Sequence, residues 1–310
     1  MAKTASIAEG KRKAGRRYKG FSSWNNYLFL LPALLFMAIF IVYPIAYNVV
    51  LSFQDVDIYN FRQERNFVGL DNYVQTFRDP VFGTSFVNSV IFTVLSIVFQ
   101  FTIGFALALF FNMKFPGRNL FRSLTLLSWM LPVVITGTIF QWMLSGDYGV
   151  VNALLQSVGI LDAPYNWLSE PKTALLATVV ANIWTGIPFN MIILLSGLQT
   201  LPEHLYEAAK LDGANKWLQF RHITLPLLRP TLLVLLMLGI IYTFKVFDLV
   251  FIMTNGGPVN SSTVLPIYAY QLSFSTFEFS RGAAVSMIMF AMLIVIAIFY
   301  LRLTSKEEAN

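Results

Sequence analysis

The sequence predicts an all-α membrane protein with six transmembrane helices, and three observations carry that expectation. Of the 310 residues, 56% are hydrophobic and only 12% are charged, about half the roughly 25% charge of a soluble globular domain. Mean hydropathy is +0.63. Several apolar runs exceed the ~18 residues that mark a candidate span. An unpaired backbone amide costs several kcal/mol in hydrocarbon, which leaves helices or a closed barrel. Continuous runs of this length fit helices rather than alternating strands of about 10 residues.

The first span is expected at 27–53. It is too long for a signal-peptide core and lacks a small-x-small cleavage site, so it reads as retained. The others are expected at 85–113, 123–144, 173–198, 230–254 and 282–303. Sixteen Lys and Arg fall on one side of these spans, seven of them between Lys3 and Lys19, against five on the other (Arg62, Arg65, Arg78, Lys172 and Arg281). The excess of positive charge places both termini in the cytoplasm. A basic tail beside a first span is a topogenic signal facing anionic lipid, so nucleic acid is not expected as a partner despite the net charge of +6. The chain then reads as a basic tail (1–26), one six-helix domain (27–303) and a cytoplasmic tail (304–310), with no internal repeat.

Chemistry is restricted by what is missing. The chain has no Cys and 2 His, which excludes disulfides, thiolate metal sites and Cys nucleophiles. No G-x-x-x-x-G-K-[ST], H-E-x-x-H or G-x-S-x-G motif occurs. No catalytic residue, metal site or bound cofactor is therefore expected. His204 and His222 read as surface histidines of one loop.

That loop, residues 201–230, is neither a short polar turn nor a soluble domain. Pro202 suits a first helical turn, the stretch from Glu203 to Ala209 continues it, and Gly213 ends or bends it after Asp212. A second short helix near 215–223 is closed by Pro226 and Pro230. The run EAAKLDGANKWLQFRHITLPLLRP fits the pattern E-A-A, three residues, G, nine residues, I-x-L-P, with Glu207, Ala208, Ala209, Gly213, Ile223, Leu225 and Pro226 in place. An interfacial helix lying on lipid is the plainer alternative.

This run resembles the Glu-Ala-Ala loop of permease subunits in binding-protein-dependent ABC importers. FVGLDNYVQTFRDPVFGTSFVNS and FKVFDLVFIMTNGGP resemble the carbohydrate-importing branch, and more narrowly the maltose-type or glycerol-phosphate-type first permease subunit. The resemblance covers essentially the whole chain. It implies the type I importer permease fold, with the loop as a coupling helix seated on an ATP-hydrolysing subunit. The implied partners are a second permease subunit, two copies of the ATPase, which uses ATP and Mg, an extracytoplasmic solute-binding protein, a sugar and membrane lipid. The implied location is a prokaryotic inner membrane, crossed several times. ATPase coupling falls to Glu207, Ala208, Ala209, Asp212 and Gly213. The extra N-terminal spans and large external domain of the enteric maltose subunit are not present, so functions of those parts do not transfer.

A neutral sugar needs hydroxyl partners and aromatic faces inside an apolar bundle. In the fourth span NIWTGIPFN holds Gly186 and Pro188, expected to bend or open the helix near mid-membrane. Asn182, Gly186 and Phe189 share one face, as Gly239, Thr243 and Val246 do in the fifth span, with Tyr242 beside them. The resemblance places sugar contacts at Asn182, Thr185, Gly186, Phe189, Gly239, Thr243 and Val246. Phe189, Gly239, Thr243 and Val246 depart from the maltose-type residues, which puts maltose itself in doubt. Ordinary helix packing is the alternative use of these small and polar residues. Lys245 and Asp248 are the ionisable pair deep in a span; their i, i+3 spacing favours a structural ion pair, a preference that an anionic sugar would reverse. The rival solutes are glycerol phosphate or a polyamine. A rival of another class is a membrane enzyme acting on a lipid-linked sugar.

Overall fold

The computed structural model describes residues 23–60 and 65–308. The chain divides into two compact units, Met1–Tyr47 and Asn48–Asn310. In the first, α1 (Ser23–Met37) passes through a π turn, Ala38–Val42, into α2 (Tyr43–Ser52), whose last turns belong to the second unit. The basic tail, Lys3 to Lys19 included, lies outside the described residues.

The second unit opens with a two-stranded antiparallel ribbon, β1 (Gln54–Asp55) and β2 (Asn66–Phe67). There follow α3 (Asp71–Arg78), α4 (Pro80–Asn112), α5 (Arg118–Met130), α6 (Val133–Met143), α7 (Val150–Ser157) and α8 (Ala174–Gln199). The remainder is α9 (Glu203–Leu211), α10 (Lys216–Gln219), α11 (Leu225–Phe244), α12 (Asp248–Met253), α13 (Leu265–Tyr270) and α14 (Phe279–Glu308). Among the described residues five helical stretches are long and apolar enough to cross a bilayer, and a sixth if α5 and α6 form one bent span.

The longest helix shows why the solvent is lipid. Along α4 the buried positions include Ser85, Asn88, Ser89, Thr93, Ser96, Gln100, Gly104 and Ala108 beside Phe82, Phe92 and Phe111, whereas Val87, Val90, Ile91, Val94, Val98 and Ile103 are exposed. A water-soluble helix would turn its apolar stripe inward. Here the small and polar residues face neighbouring helices and the branched hydrocarbons face out, the arrangement expected where lipid supplies no hydrophobic drive between helices. The buried face of α4 packs along α8, and the two run in the same direction. Near the Gln199 end of α8, Ala108 and Phe111 join Leu194, Leu195 and Leu198 in one apolar cluster.

Three expectations about the spans are corrected. The third span, expected to run straight through 123–144, is broken at Leu131–Pro132 and its halves meet at 93°. Proline supplies no N–H and drives the preceding residue out of the helical region, and Leu131 is accordingly extended at φ −69°, ψ 136°. The fifth span, expected at 230–254, falls within one apolar stretch, Lys216–Met253, but is interrupted between Phe244 and Asp248. No Gly or Pro marks this break; packing makes it, because Val246 belongs to two apolar clusters and Phe247 lies 5.1 Å from both Phe251 and Tyr270. The opening expected near Gly186 and Pro188 is not formed: α8 is continuous, with Pro188 buried inside it. The expected tail at 304–310 begins within α14, which continues to Glu308.

At the end of the bundle where α4 begins, a polar clamp ties α4 to α13 and α14. Asp79 caps α4 by accepting from Val81 N–H at 2.9 Å, and its other oxygen accepts from Tyr268 Oη at 2.7 Å and from the Arg281 guanidinium at 2.7 Å. Arg281 also pairs with Glu278. Burial alone pushes the Asp79 carboxyl upward, but the hydrogen bonds from Tyr268, Val81 and Arg281 outweigh it and hold it below its ordinary value. Burial first, and then donation to Asp79, raises the Tyr268 phenol.

Because the folded carboxyl of Asp79 titrates lower than an unfolded one, its contribution is complete above about pH 4 and fades as pH falls through the lower folded value. Asp79→Asn should cost about 1 kcal/mol at pH 7, after solvent screening. It should also flatten the acid limb of thermal stability in detergent; identical melting curves from pH 3 to 6 would contradict the clamp. Gly104→Leu probes the α4–α8 packing. A Cβ there would lie 2.7 Å from Asn190 Cβ, so overpacking should cost about 1–3 kcal/mol, read as a lowered melting temperature.

Candidate functional site: a central cavity and an exposed hairpin

Midway along α8 a cavity of about 360 Å³ opens between α4, α5, α8 and α11. Its lining includes seven of the residues expected to face a solute: Asn182, Thr185, Gly186, Phe189, Gly239, Tyr242 and Thr243. Val246, the eighth, does not line it; this side chain is taken up by the two apolar clusters at the α11–α12 break. Gln100, Trp129 and Asn190 line the cavity without having been expected there. A lone amide in mid-run is a signal for Gln100. Trp129 carries none, because its approach depends on the bend after α5.

Two glycine–amide pairs shape this space. Gly186 stands opposite Gln100, and a Cβ on the glycine would overlap the carboxamide. Gln100 Nε2 donates to the Asn182 carbonyl at 2.8 Å. Four residues on, Gly104 of α4 takes in Asn190 of α8, whose Nδ2 donates to the Gly186 carbonyl at 2.9 Å. Each helix thus offers a gap at the level where the other offers an amide. Ring edges supply the remaining wall. Phe189 lies 5.8 Å from Trp129 and 6.4 Å from Tyr242, the latter edge-to-face. Carbonyls, amides and aromatic surfaces are what a polyhydroxylated solute needs, and no carboxylate or ammonium lines the cavity.

The ion pair expected between Lys245 and Asp248 is not formed. Lys245 falls in the break after α11 and its ammonium lies 5.1 Å above the Tyr242 ring, while Asp248 heads α12. The helix break alters the i, i+3 geometry on which the pairing depended.

At the Gln199 end of α8 the expected pair of short helices is present as α9 and α10. Gly213 adopts φ +81°, and the turn around it closes with Gly213 N–H donating to Lys210 carbonyl (3.1 Å) and Ala214 N–H to Ala209 carbonyl (2.8 Å). This is the Schellman stop, in which a residue of left-handed conformation ends a helix. Asn215 then caps α10 by accepting from Leu218 N–H at 2.9 Å. The hairpin is anchored by Tyr206 Oη to Thr224 Oγ1 at 2.9 Å and by Phe220 against Phe105. Glu207, Ala208 and Asp212 are exposed and Ala209 is half-buried. Leu211 is 90% and Trp217 65% exposed, an apolar display with no use in water. Among the described residues no cluster of His, Asp or Glu could hold a metal ion.

The family model described as "Binding-protein-dependent transport system inner membrane component" matches residues 100–306. The chain is 34% identical over 278 residues to the trehalose/maltose transport system permease protein MalF of Thermococcus litoralis, covering 89% of this chain and 92% of that one. It is 36% identical over 281 residues to the sulfoquinovosyl glycerol transport system permease protein SmoG of Agrobacterium fabrum, covering 91% and 90%. Among solved structures it is similar to a chain of a bacterial ABC transporter that imports the acidic polysaccharide alginate. That similarity has a TM-score of 0.79 and 26% identity, and covers 91% of this chain and 96% of that one.

Gly186→Ala should evict Gln100 and break its bond to Asn182, lowering stability by about 0.5–1.5 kcal/mol and impairing solute passage more than melting temperature. Lys245→Met should remove only an exposed cation–π contact of about 0.5–1 kcal/mol. Loss of complex yield in that variant would show that Lys245 carries a structural load.

Proposed function

Because the chain belongs to the family of inner membrane components of binding-protein-dependent transport systems, we propose that it is one half of a heterodimeric pore that moves a carbohydrate inward by alternating access. The end carrying α9 and α10 is cytoplasmic in this reading, as the Lys and Arg distribution requires. A solute-binding protein delivers the cargo at the opposite end. Two ATPase subunits close on ATP and Mg, and the α9–α10 hairpin carries that motion to α8 and α11. The chain itself performs no covalent step.

The exposed hairpin is the observation that carries this reading. Its small Ala208 and Ala209 permit close approach, Glu207 offers a charge-assisted contact, and Leu211 and Trp217 present apolar surface to a cleft. The short link of three residues between α8 and α9, with α10 leading through a π turn into α11, supports transmission of a push to two helices that line the central cavity. The cavity's uncharged lining favours a sugar or sugar derivative over glycerol phosphate or a polyamine, either of which would call for opposite charge. The relative named for trehalose and maltose points the same way; the one named for sulfoquinovosyl glycerol is also named for a sugar, but one that carries a sulfonate.

Gly213→Val is the test. A β-branched residue at φ +81° is strained by about 1–2 kcal/mol, and no neighbour blocks the added carbon, so the turn rather than the core is disturbed. In proteoliposomes holding the permease pair, ATPase and binding protein, the variant should hydrolyse ATP while solute uptake falls about tenfold, roughly the effect of 1.4 kcal/mol on coupling. Normal uptake would reject the coupling assignment. Among candidate solutes in the binding protein, those that stimulate ATP hydrolysis should be sugars.

A further inference from the structure

A further cavity, of about 730 Å³, lies at the end of the bundle opposite the hairpin. Its walls are the C-terminal turn of α6, the turn at 144–148, the segment 166–169, and α12 with the residues that follow it. Trp142 and Tyr148 line it while 63% and 73% exposed. Gln141, Asp147, Asn166 and Asn255 add polar groups between these rings.

Both walls are built rather than loose. Asn152, only 3% exposed, donates from Nδ2 to the carbonyls of Ser145 (3.1 Å), Gly146 (3.1 Å) and Tyr165 (3.0 Å). Its Oδ1 accepts from Trp167 Nε1 at 2.8 Å and Tyr165 N–H at 3.3 Å. One side chain thus pins the 144–148 turn to the 165–167 segment. Gly146 completes the join, since a Cβ there would overlap Asn166 Oδ1. On the other wall Ser262 Oγ joins Thr254 Oγ1 (2.8 Å) and the Gly257 carbonyl (2.6 Å). Asn88 Nδ2 donates to the Ser261 and Thr263 carbonyls, each at 3.0 Å. Exposed rings beside amide side chains, on walls braced by Asn152 and Asn88, suit stacking on a pyranose face and exchange with its hydroxyls.

The two breaks relate this cavity to the central one. Of the bent pair, α5 contributes Trp129 to the central cavity and α6 contributes Gln141 and Trp142 to the outer one. Likewise α11 contributes Gly239, Tyr242 and Thr243 to the centre, and α12 leads into Thr254 and Asn255 outside. α6 and α12 pack against each other, with Gly137 facing Ile252 and Leu249. The same two broken helices therefore line both spaces.

We propose that the outer cavity is a second carbohydrate subsite, which holds one neutral sugar unit before the central cavity receives it. This rests on the importer reading above. Its lining holds one carboxylate, Asp147, and no cation, so it takes uncharged rings and disfavours acidic ones.

The test uses the assembled transporter in nanodiscs, without nucleotide or binding protein, and saturation-transfer NMR with maltose, trehalose and cellobiose as neutral probes and glucuronic acid as the charged one. At least one neutral disaccharide should receive saturation, and glucuronic acid should receive less. Trp142→Ala with Tyr148→Ala should weaken that contact about tenfold, the size of one lost ring stack. Trp129→Ala with Phe189→Ala, at the central cavity, should leave it in place. If the outer double variant assembles poorly, Gln141→Ala, at an exposed position, should weaken it in the same direction. Absence of contact with every neutral probe overturns the proposal. So does contact that survives the outer variants and disappears in the central one, or an outer variant that impairs only stimulation by the binding protein. Failure of the importer reading would show separately, as sugar uptake absent from the intact reconstituted system.

Discussion

The central cavity depends on the close approach of α4 and α8. Hydrocarbon gives helices no incentive to associate, so their contact rests on packing and hydrogen bonds. Here both arise from the same residues. Gly104 gives way to Asn190 and Gly186 to Gln100, while the two amides bond to carbonyls of α8 itself. A glycine without its partner amide would leave a void, and an amide without its glycine would hold the helices apart. The seam fixes the depth of the cavity, because the Gly186–Gln100 pair forms part of its wall.

Onto that rigid pair are set two interrupted helices, broken for different reasons. Pro132 breaks the third span by chemistry: the missing N–H and the steric demand on Leu131 are local and unavoidable. The break at Lys245 comes from packing, since Val246 and Phe247 have better partners off the helix axis than on it. Both interruptions bring short helices, α6 and α12, against each other beyond the central cavity. α8 contains Pro188 yet runs unbroken, with that residue buried inside it.

The two ends of the bundle are stabilised by different means. At one end Asp79, Tyr268 and Arg281 form a charge-assisted knot that ties the starts of α4 and α14 through α13. At the other, the α9–α10 hairpin is shaped by a left-handed glycine and a cap and anchored by the Tyr206–Thr224 hydroxyl pair and the Phe220–Phe105 contact. A hairpin that is lightly anchored but sharply shaped is suited to a partner's cleft, whereas a knotted end resists separation of its helices.

The sequence by itself determined the solvent, the all-helical class of five or six long apolar stretches, and the hairpin. Length of apolar run, distribution of Lys and Arg, and the spacing of Glu207, Gly213 and Pro226 are all properties of residues close together along the chain. It also placed seven cavity residues, because helical periodicity puts Asn182, Gly186 and Phe189 on one face wherever that helix packs. Tertiary structure alone decided that Val246 turns into the core, that Lys245 sits over Tyr242 instead of pairing with Asp248, and that Gln100 and Trp129 reach the cavity. Each of these depends on where a helix stops or bends and on which distant helix fills the gap. Such choices are made by packing between residues far apart in the chain, and periodicity within one span carries no record of them.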